Sequence, residues 1–197
     1  RNDIFYDQSG KFHASHQLSK AAKGKKVILY TPTHRKEGKV AFPLEEHFDF
    51  KVLNDWCIQN DILFVIRRHF YHKDEKVDFS MYSNITDITE KSMDIQELLM
   101  DTDILVTDYS STYIDYLLLD RPVVFYNFDY HDYLEYEKAA PGYKAETFEA
   151  LMEEFERLVQ GEDHFKEVRR QARDFFYCKE GQGMVGETLL GILKNIK

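Results

Sequence analysis

Three stretches of this chain carry residue types able to grip an anion. Thr107, Asp108, Tyr109, Ser110 and Ser111 follow the apolar run 104–106, and the apolar positions Tyr113, Ile114, Leu117 and Leu118 behind them are spaced to line one helical face. A polar turn that leaves a strand and opens a helix presents unpaired backbone N–H groups and the positive end of the helix dipole. Ser110 and Ser111 add hydroxyl donors there, which suits a phosphate or diphosphate. The same residue types also cap helices that bind nothing. Arg67, Arg68 and His69 leave a second apolar run, 62–66, with His72 and Lys73 close behind. Arginine holds phosphate through paired hydrogen bonds, and a protonated histidine steadies charge on a leaving phosphate. Salt bridges to neighbouring acids are the plainer use of such a cluster. Arg35 lies in the polar loop 32–38 after the apolar run 27–31, a place where open α/β sheets bind ligands.

The elements that must position these residues are readable from the same runs. Strands are expected at 27–31, 62–66, 104–106 and 123–126, each a short apolar stretch of the kind buried on both faces, with a weakly signalled short strand at Ile85-Thr86-Asp87-Ile88 between them. Helices are expected around Leu53, Trp56 and Cys57, from Ser92 to Met100 with a cap at Ser92 or Asp94, and from Tyr113 until Asp120-Arg121-Pro122 stops it. Strand, polar turn, helix, strand over 103–126 is a βαβ unit with parallel pairing. The expected fold is therefore α/β, a Rossmann-like parallel sheet flanked by helices. Residues 1–24 show no core strand. The tail is expected to be helical at 147–159, 163–176 and 184–196, so that residues 147–197 pack on a single nucleotide-binding domain spanning 1–197.

Composition excludes several classes. Lys and Arg number 26 against 35 Asp and Glu, a formal charge of −9, which argues against a nucleic-acid surface and requires any anionic ligand to be met by a local basic cluster. Cys57 and Cys178 are too few for a disulfide framework or structural zinc site, so reduced thiols in a cytoplasmic protein are expected. No apolar run reaches the length of a membrane span, and no signal peptide is present. The chain begins at Arg1 without methionine, as a fragment of a longer protein would. The acidic loop with Asp129, His131, Asp132, Glu135 and Glu137 has residues for a substrate hydroxyl or a metal, but its spacing fits no metal template. No cofactor or metal is expected.

The run Asp103 to Ser111, then Leu118-Leu119-Asp120-Arg121-Pro122-Val123-Val124-Phe125-Tyr126, closely resembles the signature of the CDP-glycerol glycerophosphotransferases, the teichoic-acid polymerases and primases. Tyr30 to Arg35, Val65 to His69 and Ala140-Pro141-Gly142 resemble three further segments of that family. The resemblance implies a two-domain GT-B architecture of which this chain is the C-terminal, donor-binding half. It implies that Arg67, His69, Ser110 and Ser111 contact the diphosphate of CDP-glycerol, with Arg35, Thr107 and Asp108 in the donor site and His69 and Arg67 serving the chemistry. The implied reaction is transfer of glycerol phosphate to a hydroxyl of a lipid-linked acceptor, releasing CMP. A missing N-terminal part would hold the acceptor and general base, leaving this fragment inactive alone, and the full protein would sit peripherally on the cytoplasmic face of the membrane. Phe70 stands where the family usually has proline, His34 replaces an aromatic residue, and the segment between Tyr126 and Ala140 is shorter than usual. A ribitol-type polyol, a UDP-sugar donor on the same fold, and a non-catalytic binding module remain as alternatives.

Overall fold

The computed structural model describes residues 2–6, 16–33, 44–72, 77–128 and 140–177. Six parallel strands form one sheet in the order β3-β2-β1-β4-β5-β6. They are β1 (Lys26–Thr31), β2 (Ile62–Ile66), β3 (Ile85–Asp87), β4 (Ile104–Thr107), β5 (Val123–Tyr126) and β6 (Tyr143–Ala145). The order reverses between β1 and β4, and that switch point is where a doubly wound sheet opens a crevice at its carboxyl edge.

Strand alternation sorts the apolar runs onto two faces. Ile28, Tyr30, Ile62, Phe64, Ile66, Ile104, Val106, Val124 and Tyr126 face one layer, made with Leu53, Trp56 and Cys57 of α3 (Phe50–Gln59) and Leu151 and Phe155 of α6 (Phe148–Val159). Trp56 Nε1 donates to Glu156 at 2.7 Å and ties these two helices together. Val27, Leu29, Leu63, Val65, Leu105, Val123 and Phe125 face the other layer. That layer holds Leu18 and Ala22 of α1 (Gln17–Ala22), Leu98 and Leu99 of α4 (Ile95–Met100), and Tyr113 and Tyr116 of α5 (Thr112–Tyr116). The last described helix, α7 (Lys166–Phe176), is tied to the Asp120 turn by an Arg170–Asp120 ion pair at 2.9 Å.

Several expectations change. A helix, α1, lies within residues 1–24, where the sequence showed only that no core strand was expected, and a single turn, α2 (Leu44–His47), precedes α3. β6 extends the sheet by a strand that the sequence did not signal. Helix α4 starts at Ile95, not Ser92, because the Asp94 side chain accepts from the N–H groups of Gln96 and Glu97. The helix after the Ser-Ser turn is only five residues long and passes into a 3-10 turn, Leu117–Leu119, ended by left-handed Asp120. Gly142 is needed sterically, since a Cβ there would lie 2.2 Å from the Val123 carbonyl oxygen. The 184–196 helix, Cys178, Lys73 and the acidic residues 129–137 lie outside the described residues.

Candidate functional site

A cleft of about 920 Å³ opens at the carboxyl edge of β1, β2, β3 and β4. Each strand delivers a different group. β1 ends in Thr31, Pro32 and Thr33; β2 in Arg67, Arg68 and His69; β3 in the Thr89–Met93 loop; β4 in Ser110 and Thr112. Arg67, His69 and Ser110, expected from sequence, therefore share one cavity. The β3 loop brings Lys91 and Ser92 as well, which sequence reasoning did not single out; both follow the weakly signalled strand directly.

The basic triplet splits into three environments. Arg67 N donates to the Tyr30 carbonyl at 2.9 Å, extending the β1–β2 ladder, and its Nη2 donates to the Met93 carbonyl at 2.9 Å. Burial lowers its pKa, opposed by the nearby Asp94 charge, yet a guanidinium stays protonated at any ordinary pH. A half-buried, partly desolvated cation facing a cleft gains from an incoming anion. Arg68 also reaches the cleft wall but is 5% exposed and pairs with Asp87 at 2.8 Å. It is a structural arginine. His69 is exposed, lies 4.9 Å from the Tyr71 ring, and accepts at Nδ1 from the Tyr71 N–H at 3.3 Å. In the neutral ring this leaves the proton on Nε2.

The β4 turn is organised by Asp108. Its carboxylate, 1% exposed, accepts from Thr33 N at 2.8 Å, Thr33 Oγ1 at 2.5 Å and Ser110 N at 3.1 Å. Thr107, fully buried, donates its hydroxyl to the Thr31 carbonyl at 2.7 Å. Both residues stitch the β1 and β4 loops together, and neither lines the cleft. Ser110 Oγ lies 2.9 Å from Thr112 Oγ1 and accepts from Thr112 N at 3.3 Å. Ser111, the residue before α5, is exposed, makes no capping bond, and is not part of the cleft lining. With a helix of five residues behind it, the turn offers hydroxyls and local N–H groups rather than a long helix dipole. Arg35 falls outside the described residues. Among the described residues no helix is long and apolar enough to cross a membrane.

The family model described as CDP-Glycerol:Poly(glycerophosphate) glycerophosphotransferase matches residues 1–190. A teichoic acid poly(glycerol phosphate) polymerase of Bacillus spizizenii is 32% identical over 184 residues, covering 86% of this chain and 45% of the relative. A teichoic acid glycerol-phosphate transferase of Staphylococcus aureus is 31% identical over 193 residues, covering 91% and 46%. A teichoic acid ribitol-phosphate polymerase of the same organism is 30% identical over 175 residues, covering 78% and 29%. The solved wall teichoic acid polymerase TagF shares the fold with a TM-score of 0.73 at 24% identity, over all of this chain and 52% of that one. The glycosyltransferase SnogD of Streptomyces nogalater matches more distantly, with a TM-score of 0.51 at 18% identity over 86% of this chain and 44% of its own. The chain thus spans less than half the length of these curated relatives. It belongs to the CDP-glycerol:poly(glycerophosphate) glycerophosphotransferase family.

Proposed function

We propose that this chain is the donor-binding half of a transferase that moves a polyol phosphate from CDP-glycerol, or a related CDP-polyol, to a hydroxyl of a lipid-linked acceptor in teichoic acid synthesis. The observation that carries the reading is the meeting of Arg67, His69, Lys91 and Ser110 in one cleft at the switch point of an otherwise acidic chain. Relatives named for both glycerol phosphate and ribitol phosphate lie at similar identity, so the reading covers either polyol. A solved form of TagF soaked with CDPG supports a CDP-linked donor.

The chemistry asks little covalent work of the protein. An acceptor hydroxyl oxygen attacks the phosphorus that carries the polyol, the new O–P bond forms as the bridging O–P bond breaks, and CMP leaves with the electron pair. Arg67 neutralises charge on the diphosphate, Ser110 donates a hydroxyl to it, and the Nε2 proton of His69 supports the leaving CMP oxygen. The acceptor proton goes to a base in the part of the protein beyond this chain, which also engages the acceptor at the membrane surface. CMP release from CDP-glycerol by the intact protein, measured with His69→Ala alongside, tests this. The variant is expected to lose about 100-fold or more in kcat. Unchanged turnover would remove His69 from the mechanism.

A further inference from the structure

The wall of the cleft contains a polar atom that the fold leaves unmet. Thr31 ends β1 within the cleft lining, is 6% exposed, and its Oγ1 is out of contact with solvent and has no hydrogen-bond partner among the described residues. A hydroxyl buried in that way costs about 1–3 kcal/mol, so a fold that keeps one has a use for it or a partner still to come. The carbonyl of Thr31 already accepts from Thr107 Oγ1 at 2.7 Å, whereas its side-chain hydroxyl has no partner among the described residues.

Its position points to the partner. Thr31 follows Leu29 onto the sheet face over which the cleft opens, beside Met93 and Ile95. Arg67, whose N–H bonds the Tyr30 carbonyl, flanks it from β2, and Thr107 pairs with it in register from β4. Because Oγ1 is sealed, the surface that Thr31 shows to the cleft belongs to its other atoms. Methyl and hydroxyl branch from the same carbon and are nearly equal in size. A turn of about 120° about χ1 therefore carries the hydroxyl into the place the methyl held without moving the backbone, and the small Cβ hydrogen takes the dry position. The hydroxyl then faces the cleft that Arg67 also lines. A donor beside a cation is matched by an anionic oxygen.

We propose that Thr31 is a ligand-contact residue: when a nucleoside diphosphate enters the cleft, its side chain turns and the hydroxyl donates to a phosphoryl oxygen. The identity of that ligand rests on the proposed function. Among the described residues, Asp120 Oδ1 and Arg169 Nε are also buried without a partner, but both residues lie outside the cleft lining and are ion-paired through their other atoms.

Calorimetric titration of the intact protein and of Thr31→Val and Thr31→Ser with CDP and with cytidine tests this, alongside thermal unfolding. Valine keeps the shape and removes the hydroxyl. It is expected to weaken CDP about tenfold or more, to leave any cytidine affinity unchanged, and to hold or raise Tm, because an unmet hydroxyl becomes a methyl. Serine is expected to retain CDP affinity within about threefold. Wild-type-like CDP binding by Thr31→Val overturns this inference alone. A clear fall in Tm for Thr31→Val, the mark of a hydroxyl bonded inside the fold, also overturns it. Failure of the unaltered protein to bind CDP overturns the proposed function, and this inference with it.

Discussion

Among the described residues, clefts open at two places beside the carboxyl ends of the strands, and they differ in charge. The cleft at the β1–β4 switch point sets Arg67, His69 and Lys91 against Glu90, with Arg68 tied to Asp87. The other, near the ends of β5 and β6, has a volume of about 870 Å³. It sets Glu45, Glu46, Asp49, Glu146 and Glu149 against Lys51, over Phe48, Tyr126 and a stacked His47–Phe128 pair at 3.8 Å. A chain of net charge −9 repels anions in general. What suits the switch point to one is local: a partly desolvated guanidinium that among the described residues donates to one carbonyl, with hydroxyls nearby. Fold geometry supplies both crevices, and under the proposed function side-chain charge selects the one that takes the phosphate.

Removing the cation should collapse the contrast most. Arg67→Ala is expected to weaken CDP binding by about 30-fold or more, the worth of a charge-assisted pair of roughly 2 kcal/mol. Arg67→Lys should restore only part of that, because an ammonium lacks the planar fork. Calorimetry reads both, and equal affinity for all three proteins would break the comparison. Next comes the scaffold of the basic cleft. Asp108→Ala removes the acceptor of three hydrogen bonds at a buried site and is expected to cost about 3 kcal/mol in urea unfolding. A loss under about 1 kcal/mol would show that the two loops do not depend on it. The smallest effect should come from the acidic cleft. Glu146→Gln with Glu149→Gln neutralises two exposed carboxylates and should change CDP affinity by less than about twofold at physiological salt. A larger change would mean that the second cleft shares in the site.

The sheet was legible where the chain is buried on both faces. β1, β2, β4 and β5 are near-continuous apolar runs, and only a strand in the middle of a covered parallel sheet demands that pattern. β6 escaped because it is a three-residue edge strand, Tyr143-Lys144-Ala145, with one buried position. α1 escaped because two buried residues, Leu18 and Ala22, in one short helix leave no periodicity to detect. At the site, the residue types were visible but their sorting was not. Arg67 and Arg68 are neighbours of the same kind, and what separates them is strand parity and the distant Asp87. Asp108 and Thr107 carry ligand-like chemistry, yet their bonds go to Thr33, Ser110 and Thr31, contacts that exist only once β1 and β4 lie side by side. Lys91 reached the cleft through a loop whose strand was weakly signalled.

Binding of a cytidine diphosphate donor in the switch-point cleft is the proposal from which the mechanism follows. Its most direct test is competitive calorimetry on the intact protein with CDP-glycerol, CDP-ribitol, CMP and a UDP-sugar. Saturable binding of a CDP-polyol, displaced by CMP and several-fold tighter than the UDP-sugar, is the predicted result. Preference for the UDP-sugar, or no binding of any cytidine ligand, would contradict it.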